Sequence, residues 1–283
     1  MKTFAALALV AVILAIVSQR VQAWPAVKHV VTKTYELTHD GVIAVDDASG
    51  DVSVVGWDSD TIELTTTTSA WSDDDLQRLG TRTDAQADHF SVAAEYPSHC
   101  FNCDVSLELR VPIGAHVSIE TASGDVVIKS LAGPARVDSS SGDVECKDIG
   151  GEVHVHSSSG DVTLDGIGSS VDAYASSGDI VAHRLQADAN LVASSGSVTA
   201  EFSRFDSVHA VRLESSSGDI SLVVPRGVGF KIDATTASGS IDSNLHLPIH
   251  DRDSGADVTA QVGDGLASVQ LRATSGDIGI TMR

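Results

Sequence analysis

Apolar and polar residues alternate with period two along most of the chain, and the alternation is punctuated at regular intervals. Counting back from a recurring Ser-Gly-Asp or Ser-Gly-Ser triplet, positions −6, −4 and −2 hold Val117, Ile119 and Thr121 in one unit. The next units hold Ala135, Val137 and Ser139, then Val153, Val155 and Ser157, then Val171, Ala173 and Ala175. Polar residues lie between them: Arg136, Asp138, His154, His156, Asp172 and Tyr174. After the triplet the alternation resumes with Val126/Ile128, Val144/Cys146, Val162/Leu164 and Ile180/Ala182. Such a pattern predicts strands with one face inward and one outward.

The triplet glycines are 50, 124, 142, 160, 178, 196, 218, 239 and 276. Between Gly124 and Gly196 the interval is 18 residues four times running; it then becomes 22, 21 and 37. Repetition at a fixed period is the signature of stacked supersecondary units. Each unit reads as strand, tight turn, strand, tight turn, with glycine allowing a positive φ in the turn. The predicted fold is all-β: a single-stranded parallel β-solenoid of about 18-residue coils, stacked about 4.8 Å apart. An up-and-down barrel also alternates with period two, but it requires no identical turn every 18 residues and ranks second. The 37-residue interval fits two coils, one of them degenerate around Ser254-Gly255, with Ile278-Gly279-Ile280 ending the stack.

The region 56–115 breaks the period and reads as an inserted strand and helix segment near the N-terminal end, placed to cap the stack. Thr61–Thr68 is β-branched and strand-like. Ser72 followed by Asp73-Asp74-Asp75 has the form of an N-cap and acidic first turn. The remaining divisions are a signal peptide at 1–23, N-terminal strands and a first coil at 24–55, and the repeats at 116–283. The signal peptide is read from Lys2, a 14-residue apolar run Phe4–Val17 and small residues at Val21 and Ala23 before a cut at Trp24. That run is shorter than the ~20 residues a spanning helix needs. The expected location is therefore exported, periplasmic or extracellular, without stable membrane insertion after cleavage.

Charge narrows the partners. The chain has 18 basic and 39 acidic residues, a net −21, and removing Lys2 and Arg20 with the leader gives −23. A polyanionic nucleic acid is excluded as partner, because its binding needs clustered Lys and Arg. Aromatic residues are 4% of the chain, too few for stacking platforms, while 42% apolar residues suffice for a core.

Few residues invite chemistry. The triplet aspartates Asp51, Asp125, Asp143, Asp161, Asp179, Asp219 and Asp277 recur once per coil, and Asp125, Asp143, Asp161 and Asp179 fall in one column. Carboxylates about 5 Å apart repel by roughly 1–3 kcal/mol. Relief comes either from each Asp bonding its own turn and splaying into water, the favoured reading, or from Ca²⁺ bridging the column. Cys100 and Cys103 form a lone CxxC, read as a local disulfide or two quiet thiols rather than a zinc or redox site. Cys146 falls on the inward column of Ile128, Leu164 and Ala182 and is expected in the core. His154 and His156 share an outward face and read as surface histidines. Together with Arg136, Asp138, Asp172 and Tyr174 they form one polar patch. No catalytic residues and no cofactor are expected.

The units resemble a family of bacterial exported putative adhesins, a domain of unknown function built from β-strand repeats. The resemblance runs from Val42 to Ile280. It rests on Ala48-Ser49-Gly50-Asp51-Val52-Ser53-Val54, on the corners Val111-Pro112-Ile113-Gly114 and Val224-Pro225-Arg226-Gly227, and on the later Ser-Gly-Asp-Val/Ile units. It implies a non-enzymatic cell-envelope module, adhesin-like or scaffolding, with an unidentified surface partner and end-to-end self-association. The alternative is a carbohydrate-binding protein or enzyme using the 136–174 face.

Overall fold

In a computed structural model, residues 27–100 and 102–283 are described. The signal-peptide expectation lies outside them. Among the described residues no helix is long and apolar enough to cross a membrane.

The repeat becomes a stack of coils, each with one strand in each of two facing sheets. The regular part runs β8 (His116–Thr121), β9 (Val126–Leu131), β10 (Ala135–Ser139), β11 (Val144–Ile149), β12 (Val153–Ser159), β13 (Val162–Ile167), β14 (Val171–Ser177), β15 (Ile180–Leu185), β16 (Ala189–Ser195), β17 (Val198–Phe202), β18 (Ala210–Ser217) and β19 (Ile220–Val224). Before it come β1 (Val27–Glu36), β2 (Val42–Asp47), β3 (Val52–Trp57), β4 (Thr61–Ala70), α1 (Asp73–Leu76), β5 (Gly80–Ala85), β6 (His89–Glu95) and β7 (Asp104–Pro112). After it come β20 (Phe230–Ser238), β21 (Ile241–Ser243), β22 (His250–Asp251), β23 (Ala256–Val262), β24 (Ala267–Ser275) and β25 (Ile278–Met282). One sheet has the order β1-β4-β7-β3-β9-β11-β13-β15-β17-β19-β25-β21; the other, β22-β23-β20-β24-β18-β16-β14-β12-β10-β8-β2-β6-β5. Both sheets stay open, so the barrel alternative is excluded.

The predicted alternation sets the register. Val126, Val144, Val162, Ile180 and Val198 are successive parallel partners and all are buried. Identical apolar columns face each other across a dry interior, so a one-residue slip would turn every inward side chain to water. Cys146 sits in this core, fully buried between Ile128 and Leu164, and burial pushes its thiol up to about 12.

The two ends differ from a simple succession of coils. Within 56–115, β6 and β7 pair in parallel with β2 and β3, adding a coil outside the first one. Beyond them β1 and β4 extend one sheet and β5 the other, all antiparallel. Tyr35 and Phe90, with ring centroids 5.0 Å apart, bridge the sheets here. Ser72 caps α1 by accepting the Asp75 N–H at 3.1 Å, as its spacing predicts.

At the far end the expectation that Ile278–Ile280 closes the stack is corrected. The coil β24–β25 lies between β18–β19 and β20–β21, paired in parallel with both. The 37-residue interval therefore holds no degenerate coil: β22 and β23 form an antiparallel extension of β20, and Gly255 lies beside Thr236 rather than on the glycine column. Every coil presents the same columns, so register alone does not dictate which coil docks on which.

Candidate functional site

Two surfaces gather the polar residues that the sequence marks out. The first is the corner ridge formed by the triplets. Gly124, Gly142, Gly160 and Gly178 have φ of +115°, +105°, +118° and +125°, and a Cβ on any of them would lie 2.0–2.2 Å from the preceding coil's glycine carbonyl oxygen. Glycine is required here for two reasons: backbone conformation and the direct approach of one coil to the next.

The aspartates on this ridge do not bond their own turns. Each reaches along the stack to the backbone of the next coil. Asp51 Oδ1 accepts the Asp125 N–H at 3.0 Å, Asp125 that of Asp143 at 2.9 Å, Asp143 that of Asp161 at 2.8 Å, and Asp161 that of Asp179 at 2.8 Å. The ladder continues through Ser197 and Asp219 to Asp277, whose carboxylate accepts from Ser240 N–H and Oγ–H at 2.7 and 3.0 Å. These last bonds hold the Asp277 carboxyl below its usual range. An N–H dipole aimed at each carboxylate offsets part of the repulsion between neighbours. The own-turn expectation fails because the strand-to-strand corner is so tight that the next coil's amide is the nearer donor. Asp125, Asp143, Asp161 and Asp179 are thus assembled in one row, each with one oxygen engaged in the stack.

The second surface is the outer face of the sheet containing β10, β12 and β14. A groove of about 230 Å³ is lined by Arg136, Asp138, His154, His156, Asp172 and Tyr174, with Val137 and Val155 beneath. The structure brings together all six patch residues expected from the alternation. Most of them are already paired. Arg136 Nε meets Asp138 at 2.9 Å, and Asn190 donates to both Asp172 Oδ1 and the Tyr174 hydroxyl at 2.7 Å. His154 Nδ1 lies 3.8 Å from Asp172, and the His156 and Tyr174 rings are 6.4 Å apart and tilted. On the opposite sheet Arg184 bridges Asp165 and Asp148 at 2.6 and 2.9 Å, which holds the Asp165 carboxyl below its usual range. Among the described residues no group of three His, Cys, Asp or Glu side chains is arranged to hold a metal ion.

Cys100 and Cys103 are joined as a disulfide, with Cα atoms 5.7 Å apart. They lie between β6 and β7, and Val105, two residues past Cys103, takes the place of the corner glycine on this outer coil, its carbonyl lying against Gly50.

Sequence reasoning missed one buried pair. Asp47 at the end of β2 is only 1% exposed and is within hydrogen-bond reach of the Tyr96 hydroxyl at 2.8 Å. The signal was present: two residues before Ser49, Asp47 occupies the inward position that Thr121, Ser139 and Ser157 hold in other units.

Comparison with known proteins adds the following. The model of the family described as Toastrack DUF4097 matches residues 43–281. No curated protein matches the chain. Among solved structures, a putative adhesin from Bacteroides fragilis is similar at 13% identity and TM-score 0.48, covering 90% of this chain and 97% of its own. A putative cell adhesion protein from Clostridium sporogenes is similar at 11% identity and TM-score 0.31, covering 90% and 100%. A putative lipid binding protein from Parabacteroides distasonis is similar at 9% identity and TM-score 0.34, covering 90% and 96%.

Proposed function

The chain belongs to the Toastrack DUF4097 family over residues 43–281, and on that premise we propose that it is a non-enzymatic exported envelope module, adhesin-like in action, that presents its long sheet faces and stack ends to a partner. The observation that carries this reading is the state of the outer faces. Many of the basic side chains on them are held in pairs along and across the coils, such as Arg136 with Asp138, Lys129 with Glu145 at 3.1 Å, and Arg212 with Glu214 at 2.8 Å. A face whose cations are held this way is polar and ordered by its own contacts, which suits docking. The leader-like sequence at 1–23 supports export.

End-to-end association is part of the proposal. The sheets end in edge strands with unpaired backbone, antiparallel at β1, β5 and β22 and parallel at β21, β1 being ten residues long. At net −23 repulsion between copies keeps such association weak at low salt, and added salt screens it. The test is sedimentation across protein concentration at low and high salt, together with a polysaccharide turnover assay. Concentration-dependent assembly at high salt without turnover is the expected result. A strictly monomeric species under all conditions, or measurable hydrolysis, overturns it. The carbohydrate reading rests on the Tyr174 groove alone, and binding of soluble glycans lost in Tyr174→Ala would favour it.

A further inference from the structure

The Asp47 carboxyl is placed where every other coil of the regular stack carries a small side chain. Its register partner is Thr121, followed in the same column by Ser139 and Ser157. One oxygen, Oδ2, is buried with no hydrogen-bond partner. The other, Oδ1, meets the Tyr96 hydroxyl at 2.8 Å and the Ser49 N–H at 3.1 Å. The Tyr96 hydroxyl also contacts the Ser49 carbonyl oxygen, which accepts the Val105 N–H at 3.1 Å. Tyr96 leads into the disulfide-closed loop, and Val105 is the second residue of the strand that follows it.

A proton count decides how this cluster works. Tyr96 has one hydroxyl proton and two oxygen acceptors, Asp47 Oδ1 and the Ser49 carbonyl. If Asp47 is ionised, one of these contacts is left as oxygen against oxygen, and the carboxylate charge sits beside an unpartnered Oδ2. If Asp47 is protonated, its O–H donates to Tyr96 and Tyr96 donates to Ser49, so both contacts carry a hydrogen. A neutral Oδ2 without a partner is also far less costly to bury than a charged one.

We propose that Asp47 and Tyr96 form a proton-operated latch that seats the disulfide loop and the outermost coil against the Gly50 corner, closed when Asp47 carries its proton and loosened when it ionises. Burial pushes Asp47 up to about 6; the Tyr96 and Ser49 hydrogen bonds oppose this, and the like charge of Asp104 at the start of β7 adds to it. The same burial and the Asp47 contact push the Tyr96 hydroxyl up, so it stays protonated throughout. The other ionisable groups in the neighbourhood are Asp46, Glu120, Asp138 and His156, which with Asp47 line the adjoining outer groove, and exposed His99 in the loop. Because the folded value is raised, the latch's contribution is complete below the ordinary Asp range near 3.9 and is lost as pH rises through about 6.

The test uses the full-length oxidised protein. Carboxyl carbon NMR follows Asp47, and amide exchange, corrected for intrinsic base catalysis, follows Val105. The expected results are an Asp47 midpoint near pH 6 and Val105 opening about tenfold more frequent at pH 8 than at pH 5. Asp47→Ser, which installs the residue that Ser139 and Ser157 provide in this column, should fold and abolish the pH step. Tyr96→Phe should leave Asp47 titrating while uncoupling it from Val105. An Asp47 midpoint below pH 4.5, or an unchanged pH step in either variant, overturns the proposal.

Discussion

Substituting Gly160 with alanine tests the stacking geometry directly. Gly160 has φ +118°, and a Cβ there would lie 2.2 Å from the Gly142 carbonyl oxygen, 2.6 Å from its carbon and 3.2 Å from the Asp143 nitrogen. A carbon–oxygen contact needs about 3.3 Å, so the two coils must part by about 1 Å of their ~4.8 Å spacing. That movement stretches the bonds that lock this corner: Val144 N–H to Asp161 C=O at 2.9 Å and Asp161 N–H to Asp143 Oδ1 at 2.8 Å. Two such bonds are worth about 1 kcal/mol each net. Holding alanine in this backbone conformation costs a further ~1–3 kcal/mol. The expected destabilisation is about 3–5 kcal/mol in urea unfolding, with loss of protection at the Asp161 amide. Gly80 supplies the control, since no atom lies within 4 Å of a Cβ placed there and its φ is unremarkable; Gly80→Ala should fall within about 1 kcal/mol of the parent. If Gly160→Ala is as stable as Gly80→Ala, the coils do not approach as described.

Three further outcomes follow from the ridge and the core. Asp161→Ala removes the acceptor of the Asp179 N–H, so exchange at that amide should rise about tenfold while Asp161→Asn, which keeps an acceptor, leaves it near parental. Millimolar calcium should move the melting temperature by less than about 1 °C, because N–H donors already face the carboxylates; a larger rise reversed by chelator would show that the row takes up the ion. Cys146, buried with its thiol pushed up to about 12, should resist thiol reagents in the folded protein and react on unfolding, and labelling in native buffer would contradict its place in the core.

The coil was legible in the sequence because two periodicities coincide there. The two-residue alternation names the inward side chains, and the 18-residue recurrence of Ser-Gly-Asp fixes the corners. Cys146 could be placed in the interior from its column alone, and the polar patch from Arg136 to Tyr174 from the residues between the inward ones. The order of coils at the ends was not legible. Gly276 and Gly239 carry the same corner signal, so nothing local distinguishes a coil that follows Gly218 in sequence from one that follows it in space. The aspartate ladder was hidden for a related reason: its acceptors lie in one coil and its donors in the next, and a repeat shows each unit but not the bond between units. Asp47 was visible as a carboxylate at an inward position, and only its burial against Tyr96 gave it meaning.

The placement of β24–β25 one coil in from the far end has a mechanical consequence. Both of its flanks are held by parallel ladders, to β18–β19 on one side and β20–β21 on the other. Tension entering through β25 therefore loads two seams at once, whereas a strand on an outer edge would peel along one.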